Sequence, residues 1–154
     1  MLTRDLVTTM KPVDSHSAAD YGRSLTGLGF NLIVSDLENS LRFTTQVLGA
    51  TLYFRSDGFA ALKLCGNDFM LHVKSTYRHN ELHPTLESDA PRGVGVELRC
   101  YNVDPDQAEA RARELDYFVL AGSLDKPHGL RECMILDHDG FVWIPSRHLR
   151  TPDI

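Results

Sequence analysis

Apolar and polar positions run through the same order twice along the chain. Phe30, Leu32 and Val34 alternate with Gly29, Asn31 and Ile33, a period of two that predicts a strand with one face packed. Asp36, or Ser35 with Glu38 three residues on, offers acceptors to the free N–H groups of a helix start. Leu37, Leu41, Thr44 and Leu48 then form one stripe and Gly49 supplies a left-handed stop, which predicts a helix over 37–48. The order returns at 93–117. There Val96, Leu98 and Cys100 alternate with Glu97, Arg99 and Tyr101. Asp104 offers the cap, Pro105 fits the first helical position and Gln107 completes a capping-box spacing, with Ala108, Ala112 and Leu115 following at helical intervals. Matching Asp36 with Asp104 sets Gly29 opposite Glu97, Asn31 opposite Arg99 and Ile33 opposite Tyr101. A tandem pair of βα units is the predicted architecture.

Short apolar runs extend each unit. Strands are predicted at 51–55, 59–64 and 69–73, separated by turn residues at 56–58 and 66–68. In the second unit they fall at 117–120, 131–136 and 141–144, with a loop over 121–130, a tight turn over 137–140 and a polar tail after Pro145. Each unit therefore reads βαβββ, and two of them predict an α+β fold made by duplication, each sheet curled with its helix outside. The expected organisation is an N-terminal arm (1–26, a docking helix or a loose tail), a first module (27–74), a linker or lid (75–92), a second module (93–147) and a tail (148–154).

Composition narrows the function classes. A chain of 154 residues, 42% hydrophobic and 24% charged, suits one domain or two packed half-domains. A formal charge of −5 without a basic run gives nucleic-acid binding no electrostatic support. The apolar runs are too short to cross a bilayer and residues 1–12 lack the apolar centre of a secretion signal, so a cytoplasmic protein is expected. Cys65, Cys100 and Cys133 are an odd count without a CxxC pair, which argues against a disulfide framework and a structural zinc site and for reduced thiols.

The stretches VSDLENSLRF…VLGA, VELRCYNVDPDQAEARA and GLRECMILDHDGFVW resemble the glyoxalase / bleomycin resistance protein / dioxygenase superfamily, the vicinal oxygen chelate fold, over roughly residues 27–147. The resemblance implies that both modules curl into an eight-stranded mixed-sheet cup, and that a homodimer forms, since many relatives pair modules across a two-fold axis. Metal-using relatives carry His, Glu or Gln on the first and last strands of each module. By position those sites fall on Gly29 and Glu97, near His72, and near Ile144. Gly29 and Ile144 have no ligating side chain, which is the main functional clue in the sequence.

The expectation that follows is a protein binding a small organic molecule in the cup without the usual full metal set and without a cofactor. Its implied lining is Asn31, Ile33, His72, Glu97, Arg99 and Tyr101, with Tyr53, Phe59 or Trp143 as aromatic walls or plain core, and His128 on a loop that borders the cup mouth in relatives. The alternative is a glyoxalase-like lyase or isomerase, or a ring-cleaving dioxygenase, in which His72, Glu97 and a loop histidine (His79, His83 or His128) hold divalent Fe, Mn, Ni or Zn. A metal-free enzyme would use His72 and Glu97 as an acid–base pair. Asp137, His138 and Asp139 are read as turn residues and Cys100 and Cys133 as inert apolar-face thiols. A third reading is a dimeric interaction protein whose N-terminal arm docks on a partner.

Overall fold

The computed structural model describes residues 18–150 apart from residue 89. Most of the expected N-terminal arm lies outside the described residues; its last part is helix α1 (Ala18–Ser24). The first module then runs β1 (Phe30–Val34), α2 (Leu37–Arg42), β2 (Thr51–Arg55), β3 (Phe59–Leu64) and β4 (Asn67–Val73). The second runs β5 (Glu97–Tyr101), α3 (Pro105–Glu114), β6 (Phe118–Asp125), β7 (Leu130–Leu136) and β8 (Val142–His148). Each forms a four-stranded sheet in which the first strand lies parallel to the last, ordered β1-β4-β3-β2 and β5-β8-β7-β6. This is the duplicated α+β fold expected.

Both helices start where their caps say. Asp36 accepts the N–H of Asn39 at 3.0 Å, and Asp104 accepts that of Asp106 at 2.9 Å with Pro105 in the first turn. Past Arg42 the first helix widens into a π-helical turn over Phe43–Val47. There Thr44 and Thr45 give their hydroxyls back to the carbonyls of Ser40 and Leu41, local bonds that compete with the α-helical ladder. Gly49, with φ of 77°, closes it.

Strand boundaries differ from expectation in three places, the first being β4, which starts at Asn67 inside the turn expected over 66–68. The loop expected over 121–130 is mostly strand: β6 reaches Asp125 and β7 begins at Leu130, because Ala121, Leu124 and Asp125 pair with β7 on either side of an irregularity that takes up Gly122 and Ser123. The polar tail expected after Pro145 is strand to His148. Pro145 has no N–H to give, and β7 pairs with β8 on either side of it, at Ile135 with Trp143 and at Glu132 with Ser146.

The helix-side faces of both sheets share one core. Leu32, Leu62 and Leu71 of the first sheet and Ile135 and Trp143 of the second belong to a single buried cluster with Phe43, Ala108 and Ala112 of the helical layer. Trp143 is the joint: its ring lies 6.3, 6.1 and 6.0 Å from those of Phe30, Phe43 and Phe69 in the first module. Tyr117 adds a hydrogen bond from its hydroxyl to the Asn39 side chain at 2.8 Å. With both helix-side faces turned inward, the two opposite faces are turned away from this core.

Candidate functional site

Alternation along the strands decides which side chains reach those outer faces. In the first module the rows are Asn31 beside Met70 beside Ala61, and Ile33 beside His72 beside Phe59. The His72 ring lies 4.8 Å from Phe59 and 5.2 Å from Tyr77, and its Nδ1 is 3.2 Å from the Thr76 hydroxyl. The tight turn Lys74–Tyr77 folds back so that Tyr77 also accepts a hydrogen bond from Asn31 at 3.3 Å. Partial burial holds the His72 imidazole below its ordinary value, which favours the neutral ring. Lys63 stands 5.7 Å over the Tyr53 ring on the same face.

In the second module the corresponding rows are Glu97 beside Val142, Arg99 beside Ile144, and Tyr101 beside Ser146 beside Glu132. Arg99 is the hub. It pairs with the buried Glu132 carboxylate, reaches Glu97 at 3.3 Å and lies 6.0 Å over the half-exposed Tyr101 ring. His128 Nε2 approaches Glu132 at 3.4 Å.

The expected lining residues thus divide. Asn31, Ile33 and His72 gather on the first outer face, and Glu97, Arg99, Tyr101 and His128 on the second. Trp143 belongs to neither. It is 1% exposed on the helix side of β8, and its indole N–H donates to Asp137 at 2.9 Å. The face it occupies was invisible in the sequence because both Trp143 and its neighbour Ile144 are large and apolar. Tyr77 and Glu132 were missed for another reason: the first acts from a polar connection, and the second meets Arg99 only through the sheet register. Asp137 and Asp139 are turn residues as read, with Asp137 accepting the N–H groups of Asp139 and Phe141 at 3.0 Å.

Within one chain the positions implied for a metal do not come together. Gly29 has no side chain, Ile144 is a fully buried hydrocarbon, and His72 and Glu97 stand on faces of different sheets. Among the described residues no three His, Cys, Asp or Glu side chains converge.

A sequence profile of the Glyoxalase/Bleomycin resistance protein/Dioxygenase superfamily matches residues 28–144. The chain belongs to this superfamily. Solved structures agree on the fold. A glyoxalase/bleomycin resistance protein/dioxygenase from Nocardioides is 24% identical with a TM-score of 0.61, the alignment covering 87% of this chain and 94% of that one. A family enzyme from Burkholderia phytofirmans is 17% identical with a TM-score of 0.67, over 79% of this chain and 97% of that one. A glyoxalase-related enzyme from Fulvimarina pelagi is 19% identical with a TM-score of 0.64, over 80% and 89%. Among curated proteins none matches the chain. At these identities the likeness of this superfamily member to solved structures shows the fold alone. Among the described residues no helix is long and apolar enough to cross a membrane.

Proposed function

We propose that this superfamily member binds a small amphipathic organic molecule in a cup that two copies of the chain complete between them, without the full metal-ligand set of metal-using relatives. The observation that carries the reading is the placement of the two polar–aromatic faces. Each is half a lining, and within one chain they point away from each other across the shared core. A two-fold dimer sets the first face of one copy against the second face of the other.

The chemistry of the combined lining suits such a ligand. Phe59, Tyr77 and Tyr101 offer apolar area that stabilises at about 25 cal/mol per Å² buried. Asn31, Glu97 and the Arg99 guanidinium fix orientation through a few directional groups. His72, favoured as the neutral ring, is able to accept or donate one hydrogen bond to the bound molecule.

The test joins two readouts on protein purified without chelators. Elemental analysis is expected to find no stoichiometric metal, and a thermal-shift screen of small organic molecules is expected to find stabilising compounds. Their effect should be lost in both Tyr77→Ala and Arg99→Met, one variant from each face. About one Fe, Mn, Ni or Zn per chain, removed by His72→Ala, would overturn the reading.

A further inference from the structure

The His72 ring on the first outer face is held from three sides. The Phe59 and Tyr77 rings flank it at 4.8 and 5.2 Å, and its Nδ1 lies 3.2 Å from the Thr76 hydroxyl oxygen. That hydroxyl is also 2.8 Å from the carbonyl oxygen of Val73. Two oxygens this close need a hydrogen between them, and a carbonyl carries none, so the single hydroxyl hydrogen of Thr76 is donated to Val73. What Thr76 turns towards His72 is a lone pair. Nδ1 is then the protonated nitrogen and donates to Thr76, and in a neutral ring Nε2 is left as the acceptor. Partial burial, which holds the ring below its ordinary value, favours that neutral state. Among the described residues nothing hydrogen-bonds to Nε2.

The posture of Thr76 is itself built in. A Cβ on Gly58 would come within 2.8 Å of the Thr76 methyl and 2.9 Å of a Val73 methyl, so the turn between β2 and β3 makes room for the threonine by carrying glycine there. The Gly58 carbonyl accepts the Val73 N–H at 2.9 Å, which fixes that turn against the end of β4. Neither Thr76 nor Gly58 is part of the lining.

We propose that Thr76 is a positioning residue that sets the His72 tautomer, so that Nε2 is a lone-pair acceptor and the first face takes a molecule carrying an O–H or N–H donor on an aromatic body. The tautomer stands without a ligand; the ligand class rests on the cup reading. Phenols and aromatic amides with a free N–H match the acceptor. Ethers and carboxylates bring only lone pairs to it and do not. The aromatic body is favoured by the Phe59 and Tyr77 rings on either side of the imidazole.

The experiment uses the full chain labelled with 15N-histidine at about pH 8, where the ring is neutral. Long-range 1H–15N correlation spectra distinguish a protonated from an unprotonated ring nitrogen, and the His72 signals are those lost in His72→Gln. The expected result is a protonated Nδ1 and a bare Nε2 in the natural chain and in Thr76→Ser, which keeps the hydroxyl. In Thr76→Val, which keeps the shape and loses the oxygen, the proton should spread over both nitrogens. A proton on Nε2 in the natural chain, or an unchanged tautomer in Thr76→Val, would overturn the role of Thr76. Phenol and anisole, in which a methyl replaces the hydroxyl hydrogen, are then titrated to millimolar concentration while the Nε2 resonance is followed. Phenol is expected to bind roughly 2- to 10-fold more tightly, as one hydrogen bond allows. Anisole binding as tightly as phenol would overturn the ligand class. Binding of neither, with the tautomer as expected, would overturn the cup reading and the ligand class together and leave the role of Thr76 standing.

Discussion

Asp139, in the turn before β8, accepts the backbone N–H of Ser35 on both carboxylate oxygens, at 3.1 and 3.0 Å. This contact ties the second module to the residue before the Asp36 cap of the first. Arg92 from the connection between modules supports it, its Nε 3.6 Å from the same carboxylate and its own N–H bonded to the Asp139 carbonyl at 3.1 Å. The carboxylate is 6% exposed, so Asp139→Ala removes a buried acceptor and strands Arg92. A loss of about 1–3 kcal/mol is expected, read as a lower urea midpoint with an unchanged slope. A separate transition for one module would show instead that the contact holds the halves together as a unit.

Trp143 is the core of the joint rather than part of a ligand wall. Trp143→Ala is expected to cost about 3–5 kcal/mol by removing contacts to Phe30, Phe43 and Phe69 together. Thermal unfolding followed by circular dichroism gives the number. A loss below about 1 kcal/mol would place the indole outside the packed core.

Arg99 and Glu132 form the floor of the second outer face, with side chains 28% and 8% exposed. Arg99→Met leaves the Glu132 carboxylate buried beside only His128, and a cost of about 2 kcal/mol is expected. The double variant Arg99→Met with Glu132→Leu should recover most of it. If both single variants and the double are equally unstable, the two residues do not act as a pair.

Burial pushes the Asp137 carboxyl above its ordinary 3.8, against the opposing effect of the N–H donors of Trp143, Phe141 and Asp139. In this pH range the folded state therefore holds its proton more tightly than the unfolded chain. The associated stability is fully present below the unfolded value and is lost as pH rises through the folded one. Asp137→Asn has no such titration. The stability of the natural chain minus that of the variant should shrink as pH is raised from about 3 to about 7 in urea titrations. A difference that grows with pH would mean the carboxyl is held low instead.

The duplicated fold was legible because its signals are local. A cap residue, a helical stripe and a terminal glycine need only their neighbours, and Asp36 and Asp104 both cap as their spacing implies. Strand ends were less legible. Ala121 and Leu124 pair with β7 around an irregularity at Gly122 and Ser123, and β8 passes Pro145 because its ladder accommodates the missing N–H. For the site, the resemblance implied Asn31, Ile33, His72, Glu97, Arg99 and Tyr101 as one lining, while strand register divides them between two sheets and brings Glu132 to Arg99. How the modules pack is set by Trp143 meeting three phenylalanines far away in the chain, and no local pattern encodes that.

A cup shared between copies requires that the chain associate. Sedimentation equilibrium of the full chain at micromolar concentration is the most direct measurement. The expected mass is twice the 17.3 kDa of one chain, with association weakened by a charge placed on the first face, as in Phe59→Lys. A single-chain mass across the concentration range would contradict the shared cup, because the two outer faces would then have nothing to close them.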